Sequence, residues 1–331
     1  MNDRSTWALV LAAGEGSRLR SLTTTASGTA VPKQFCSLRG DSSLLRDALR
    51  RARGVADPSR ICSVVASQHR RWWRSDLRAL PAGNVIVQPE NRGTANGILL
   101  PLLHIVARDP QATVLLLPAD HYVRDEDVLE NSLRKSMRLA AASTDTVFLL
   151  GIEPDCADSE LGYIVPQGRM HASAPVREFV EKPALPLARE LLMRGALWNS
   201  FIIAASAQAL LALYRLRCAD VLDSMRAALQ IDMAAAGGVD GAVAAMYEEL
   251  RTLDFSRDVL QGRTDSLRVV RVPDCGWTDL GTPQRVAATL QGILPVPELD
   301  EVMPEGACLS LAAQHWRLQS RGHAGLYGAR P

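Results

Sequence analysis

Four short stretches carry residue types whose spacing could handle phosphate. The apolar run Trp7–Ala13 leads into Gly14-Glu15-Gly16-Ser17-Arg18. A strand, a glycine-rich turn and a basic residue outline an anion cradle, because glycine lets backbone N–H groups approach a phosphate and the guanidinium adds charge. The pattern is not the dinucleotide fingerprint, since the third glycine would fall at Leu19, and no Gly-Lys-Ser/Thr follows. By itself it reads equally as a tight turn. A second run, "TVLLLPAD", sets Asp120 just past a buried strand. Ligands of open α/β sheets bind at that end, and a carboxylate there can hold Mg²⁺ against a phosphate. A turn or helix-capping aspartate fits the same place. Asp279, in the glycine-flanked "GWTDLGT", has the same two readings, and His121 reads as a turn or packing residue.

The fourth stretch, "AVPKQF", raises a question of type. Only three of the 37 Lys and Arg side chains are lysine: Lys33, Lys135 and Lys182. Lysine is a compact point charge, whereas arginine is a broad planar fork. A lysine kept in so arginine-rich a chain suits a crowded anionic site. Lys135, in the helical pattern "NSLRKSMRLAA", reads as a solvated surface residue.

The elements that would position these residues follow from periodicity. Residues 7–13, 61–66, 84–88, 113–120 and 146–151 are apolar and rich in β-branched types, as strands covered on both faces are. Helical patterns near 43–53, 67–80, 94–108 and 126–142 lie between them. This alternation predicts an α/β fold with a mostly parallel sheet flanked by helices. In the second half, strands are expected at 162–166, 176–183 and 267–272. Helices are expected near 185–195, 206–217, 219–233, 239–251 and 282–293.

The 331 residues, 47% hydrophobic and 22% charged, are enough for a sizeable core. One large domain, 1–294, is expected, with 295–331 as a C-terminal extension of uncertain order. A net charge of +1 generates no field for nucleic acid or an anionic membrane. No run of about 18 apolar residues suggests a membrane span. The six scattered cysteines form no C-x-x-C pair, and the start lacks a secretory pattern, so reduced thiols and a cytoplasmic location are expected.

In order, "LAAGEGSRL", "PKQF", "QPENRGTANGI", "LLLPADH", "GYI", "EFVEKP", "LWNS" and "GWTDLGT" resemble the sugar-1-phosphate nucleotidyltransferases. Within that family the chain is most similar to the bacterial mannose-1-phosphate guanylyltransferases, from about residue 7 to 290. The resemblance implies a Rossmann-like nucleotide-diphospho-sugar transferase fold and a Mg²⁺-assisted reaction. In that reaction the phosphate of mannose 1-phosphate would attack the α-phosphorus of GTP in line, giving GDP-mannose and pyrophosphate. By matching position, Leu11, Ala12, Ala13, Gly14 and Gly16 would bind the nucleotide, with the Gly14–Gly16 loop around the triphosphate, and the segment Gln88–Ala95, with Asn91, Gly93 and Thr94, would line the base pocket. Arg18 would grip the departing pyrophosphate, and Lys33 would lie against the phosphates. Lys182 would neutralise the sugar phosphate. Gly162, Glu181 and Asn199 would bind the hexose, and Asp120 and Asp279 the metal. The expected partners are GTP and the sugar 1-phosphate, with no nucleic acid or membrane and room for a homodimer. Another base or sugar, or a catalytically silent nucleotide-sugar sensor, remains open.

Three departures and one local expectation follow. The family's W-N-S-G-M-F reads "LWNSFII" here, so the glycine after Ser200 is missing. The stretch "SLTTTASGTAV" lengthens the link to "PKQF" and is expected to form a mobile flap over the triphosphate. The chain stops soon after the domain, so no second activity is expected. Glu181 and Lys182 would point to opposite faces of a regular strand, so a turn beginning at Glu181 is predicted, with Pro183 removing the helical alternative.

Overall fold

The computed structural model describes residues 5–25, 28–38, 42–235 and 241–293, so the expected extension at 295–331 lies outside them. The elements run β1 (Thr6–Ala12), α1 (Arg20–Thr23), α2 (Leu44–Arg53), β2 (Ile61–Ala66), α3 (Arg70–Asp76), β3 (Val85–Gln88), α4 (Gly93–Arg108), β4 (Thr113–Pro118), α5 (Glu126–Ala141) and β5 (Val147–Ile152). They continue as β6 (Tyr163–Pro166), β7 (Ala174–Val180), α6 (Leu185–Met193), β8 (Leu197–Ser206), α7 (Ala207–Arg217), α8 (Ala219–Ala234), α9 (Gly241–Glu249), β9 (Leu267–Val272) and α10 (Pro283–Ile293).

The strands form one sheet in the order β3-β2-β1-β4-β8-β5-β9-β7-β6. Strands β3, β2, β1 and β4 are parallel throughout, as the alternation predicts. The expected parallel order is interrupted at β8, which runs antiparallel to both β4 and β5; β5 and β9 pair parallel again, and β6 and β7 are antiparallel to their neighbours. The whole sheet is therefore mixed. Strand β8 was expected only as the "LWNS" motif. Its apolar run continues into the apolar helix α7 without a glycine or proline between them; the boundary is marked by Ser206, which caps the helix by accepting from Ala209 N–H at 3.0 Å.

Alternate residues of each central strand supply two cores. Ala8 and Val10 of β1 and Leu115 and Leu117 of β4 pack with Leu45 and Leu49 of α2, Leu129 and Leu133 of α5, and Val286 and Leu290 of α10. Trp7, Leu9, Val114 and Leu116 face the other way, against Ile98 and Leu102 of α4, Leu210 and Tyr214 of α7, and Leu222 and Met225 of α8. Period-two alternation in the strands thus explains why both faces need helices. No described helix is long and apolar enough to cross a membrane.

The chain order reverses between β1 and β4, and loops leaving their carboxyl ends diverge around a crevice, where open sheets bind ligands. None of the described residues of 21–31 lines it. Thr24 and Ala30 form an antiparallel bridge, Val31 N–H donates to Thr23 O at 3.1 Å, and Thr25 N–H to Thr29 O at 2.8 Å. Its described residues thus close into a hairpin outside the cleft, satisfying one another's backbone groups; Ala26 and Ser27 lie outside the described residues.

Candidate active site

A cleft of about 520 Å³ opens at these carboxyl ends. Its side lined by Arg18 and Lys33 is built by two backbone segments in contact. Gly16 has φ 62°, and a Cβ there would lie 2.9 Å from the Lys33 backbone nitrogen. Only glycine satisfies both the left-handed conformation and the approach. Gln34, 2% exposed, ties the loop down by donating from Nε2 to the carbonyls of Ala12 (3.0 Å) and Gly14 (2.9 Å). Leu11, Ala13 and Gly14 line the cleft. Ala12 and Gly16 do not: Ala12 is buried in the core and Gly16 is the packing contact beneath Lys33.

Lys33 opens a short helical turn through Phe35 and is 7% exposed. Its Nζ lies 2.9 Å from Asp120 Oδ2 and donates to the Asp279 carbonyl at 2.6 Å. A two-residue antiparallel bridge brings these distant loops together: Tyr122 and Thr278 exchange backbone hydrogen bonds, each 2.9 Å. Burial would push the Asp120 carboxyl up, but the Lys33 ammonium, His121 and a backbone N–H together hold it below the usual carboxylate value. His121 is buried, accepts from Trp277 Nε1 at 3.3 Å and packs edge-on against its ring. Burial pushes its pKa down to about 4, so it is neutral at pH 7, as its packing reading implies.

The Asp279 carboxylate faces elsewhere. It accepts from Gly281 N–H at 2.9 Å and pairs with Arg285 of α10, which also pairs with Asp158 and lies 5.8 Å over the Trp198 ring. Among the described residues no three His, Cys, Asp or Glu side chains gather as a metal site. The Asp120 carboxylate at the cleft nevertheless suits Mg²⁺ in kind, since the ion takes one or two protein carboxylates and completes its shell with phosphate and water oxygens, whereas the Asp279 carboxylate would have to leave Arg285 to join it. Arg18 is also paired, to Glu160 across the cleft at 2.8 Å, with both side chains about half exposed.

At the far end, β7 stops at Val180 and Lys182 takes φ 46°, so Glu181 and Lys182 both line the cleft. This is the turn predicted before Pro183. Gly162 must be small here, because a Cβ would lie 2.6 Å from Glu181 Oε2 and 3.3 Å from Asn199 Cβ. Glu181 Oε2 is buried without a hydrogen-bond partner. Burial, reinforced by the Asp254 charge, pushes Glu181 up to about 7 against Lys182, Ser256 and Arg257. Asn199 sits beside it on β8. Lys135 is on α5, away from the cleft.

Gln88, Asn91, Gly93 and Thr94 line the remaining wall. Gln88 is 2% exposed and its Oε1 has no partner. Sequence reasoning missed the strip facing them. Leu253 N–H donates to Arg92 O at 3.1 Å, Ala95 N–H to Leu253 O at 3.0 Å, and Phe255 N–H to Thr94 Oγ1 at 2.8 Å. The strip leads into a turn of π-helix, Phe255–Leu260, whose first residues Ser256 and Arg257 also line the cleft. Its only local signal is Asp254, a cap that accepts from Arg257 N–H at 2.9 Å.

The profile of the nucleotidyl transferase family matches residues 7–293. The chain belongs to this family. It is 32% identical over 287 residues to the mannose-1-phosphate guanylyltransferase of Escherichia coli K12, covering 83% of this chain and 57% of the relative. A relative of the same description in Salmonella typhimurium is 31% identical over 302 residues, covering 85% and 59%. This nucleotidyltransferase chain thus spans less than three-fifths of the curated relatives it matches. A solved structure from Thermus thermophilus, described as a mannose-1-phosphate geranyltransferase, superposes with a TM-score of 0.73 at 26% identity, covering 91% of this chain and 83% of that one.

Proposed function

We propose that the chain transfers GMP from GTP to mannose 1-phosphate, giving GDP-mannose and pyrophosphate. One observation carries the reading: the cleft has a buried, unpartnered acceptor on two of its walls, beside the cationic phosphate side. Glu181 Oε2 calls for a hydroxyl donor, as a hexose provides, and Gln88 Oε1 for an N–H donor, as the guanine edge provides. The names of the relatives and the "PENRGTA" segment support guanine and mannose among the bases and sugars that fit.

The sugar phosphate oxygen forms the new bond to the α-phosphorus as the bond to the β-phosphate oxygen breaks in line, so no covalent enzyme intermediate is needed. The protein supplies position and charge. Lys182, set beside Glu181 by the turn, faces the attacking phosphate. Lys33 faces the triphosphate, and Arg18 leaves Glu160 to hold the pyrophosphate. Asp120 would hold Mg²⁺, joined by Asp279 once its carboxylate leaves Arg285, and the ion when bound neutralises charge on the triphosphate.

The test is pyrophosphate release with each of four NTPs against several sugar 1-phosphates. GTP with mannose 1-phosphate is expected to be fastest. Faster release with another pair would replace the substrate assignment. Nucleotide binding without release from any pair would point to a silent sensor.

A further inference from the structure

Phe201 stands in a backbone conformation that its side chain disfavours, at the centre of the sheet. In the pairing of β5 with β8, Leu149 faces Ile203 but Gly151 faces Asn199, so β8 carries extra residues at this point. Ser200, Phe201 and Ile202 form the bulge. Ser200 Oγ donates to Leu150 O at 2.6 Å and accepts from Ile202 N–H at 3.2 Å, while Phe201 N–H donates to Asn199 Oδ1 at 3.1 Å. Phe201 has φ 58°. A bulged residue in the left-handed region is normally glycine, and a bulky aromatic there is strained.

Strain of this kind concentrates where function demands it. The non-glycine residues of positive φ are Lys182, Phe201 and Leu280 among the described residues; the first two line the cleft and the third follows Asp279. The bulge directs Phe201 to the cleft wall, where it remains partly exposed. Its ring meets that of Phe255 edge-on, with centroids 6.1 Å apart. Phe255 is fully buried and held against α4 through Thr94 Oγ1, so the Phe201 ring rests on a fixed support. On the other side, the amide that takes the Phe201 N–H, Asn199, packs against Gly162 beside Glu181.

We propose that Phe201 is a specificity-determining residue for the acceptor sugar: its ring walls the hexose subsite, packs on the C–H face of a pyranose 1-phosphate and excludes a pyranose bearing an acetamido group. This rests on the reading that the Gly162–Glu181–Asn199 end takes the hexose. Phe201→Gly removes both the ring and the backbone strain, so the fold should tolerate it, and thermal denaturation checks this. Phe201→Leu keeps apolar bulk without the aromatic face.

For Phe201→Gly, the KM for mannose 1-phosphate is expected to rise about tenfold or more, while that for GTP stays within about twofold. Relative turnover of N-acetylhexosamine 1-phosphates should rise at least tenfold. Phe201→Leu should raise the KM for mannose 1-phosphate and still exclude the acetamido sugars. Equal KM changes for both substrates, or unchanged discrimination against acetamido sugars in Phe201→Gly, would overturn the proposal. The wild-type survey keeps the parent reading separate. If another NTP and sugar 1-phosphate prove best, the parent assignment falls and the same split is read on that pair. If no pair releases pyrophosphate, calorimetric affinities of sugar 1-phosphates and GTP for wild type and Phe201→Gly make the same comparison.

Discussion

The Lys33 ammonium lies 2.9 Å from the Asp120 carboxylate and donates at 2.6 Å to the Asp279 carbonyl, so one buried point charge joins the two loops that carry the candidate metal-binding carboxylates. The same residue abuts Gly16 through its backbone. Its surroundings therefore limit the size of any replacement.

Lys33→Arg retains the charge and adds a fork too wide for this space. Turnover is expected to fall on the order of 10²-fold, the scale of losing one electrostatic stabiliser of a transition state. Overpacking at a site only 7% exposed should also destabilise the fold by about 1–3 kcal/mol, more than a surface substitution would. Near-normal pyrophosphate release from the variant would show that charge alone, and not compactness, explains the lysine.

Glu181 gives a pH signature. Its folded-state pKa of about 7 exceeds the usual 4.5, so the folded chain keeps a proton that the unfolded chain releases. Its contribution to stability is therefore present below pH 4.5 and declines as pH rises toward 7. Glu181→Gln cannot ionise, so its melting temperature should gain on that of wild type across this interval. Parallel melting-temperature profiles for the two proteins would contradict the burial argument. The variant should also raise the KM for the sugar phosphate much more than that for GTP.

The Arg18–Glu160 pair spans the mouth of the cleft and competes with any anion for Arg18. Exposed pairs of this kind are worth about 0–1 kcal/mol. Glu160→Gln should therefore lower the KM for GTP by no more than about fivefold, with the gain shrinking at high salt. A KM that rises instead would mean that Glu160 serves the substrate, not the resting cleft.

Arg285 offers a test of stability separate from turnover. Removing it leaves Asp158 and Asp279 facing each other's charge in a partly buried setting, with side chains 19% and 14% exposed. Arg285→Met should destabilise the fold on the order of 2 kcal/mol, somewhat less than the ~3–5 of a fully buried pair. Denaturant melts at low ionic strength measure it. Unchanged stability would show that Arg285 is not the counter-charge that holds the Asp279 loop.

The sequence by itself determined the parts that repeat locally. β-Branched apolar runs marked β1, β2 and β4, and helical periodicity marked α2, α4 and α5, because each pattern reflects burial within a few residues of itself. The glycine turn after β1 and Asp120 after β4 were legible for the same reason: they end strands. So was the turn at Glu181, since Pro183 restricts the residue before it. Tertiary structure decided what depends on partners far along the chain. Strand β8 became a strand by pairing with β4 and β5, since an apolar run ending at a helix cap fits a strand or a buried helix equally. The strip at 253–257 joined the cleft through hydrogen bonds to the start of α4. The loops of Asp120 and Asp279 met through the Tyr122–Thr278 bridge, and Glu160 facing Arg18 and Asp158 facing Arg285 came from a loop with no sequence signal. A local pattern fixes the direction in which a side chain leaves its element. Only the closed backbone decides which distant charge stands opposite, because ion pairs and bridges act over a few ångströms of space and not over a count of residues.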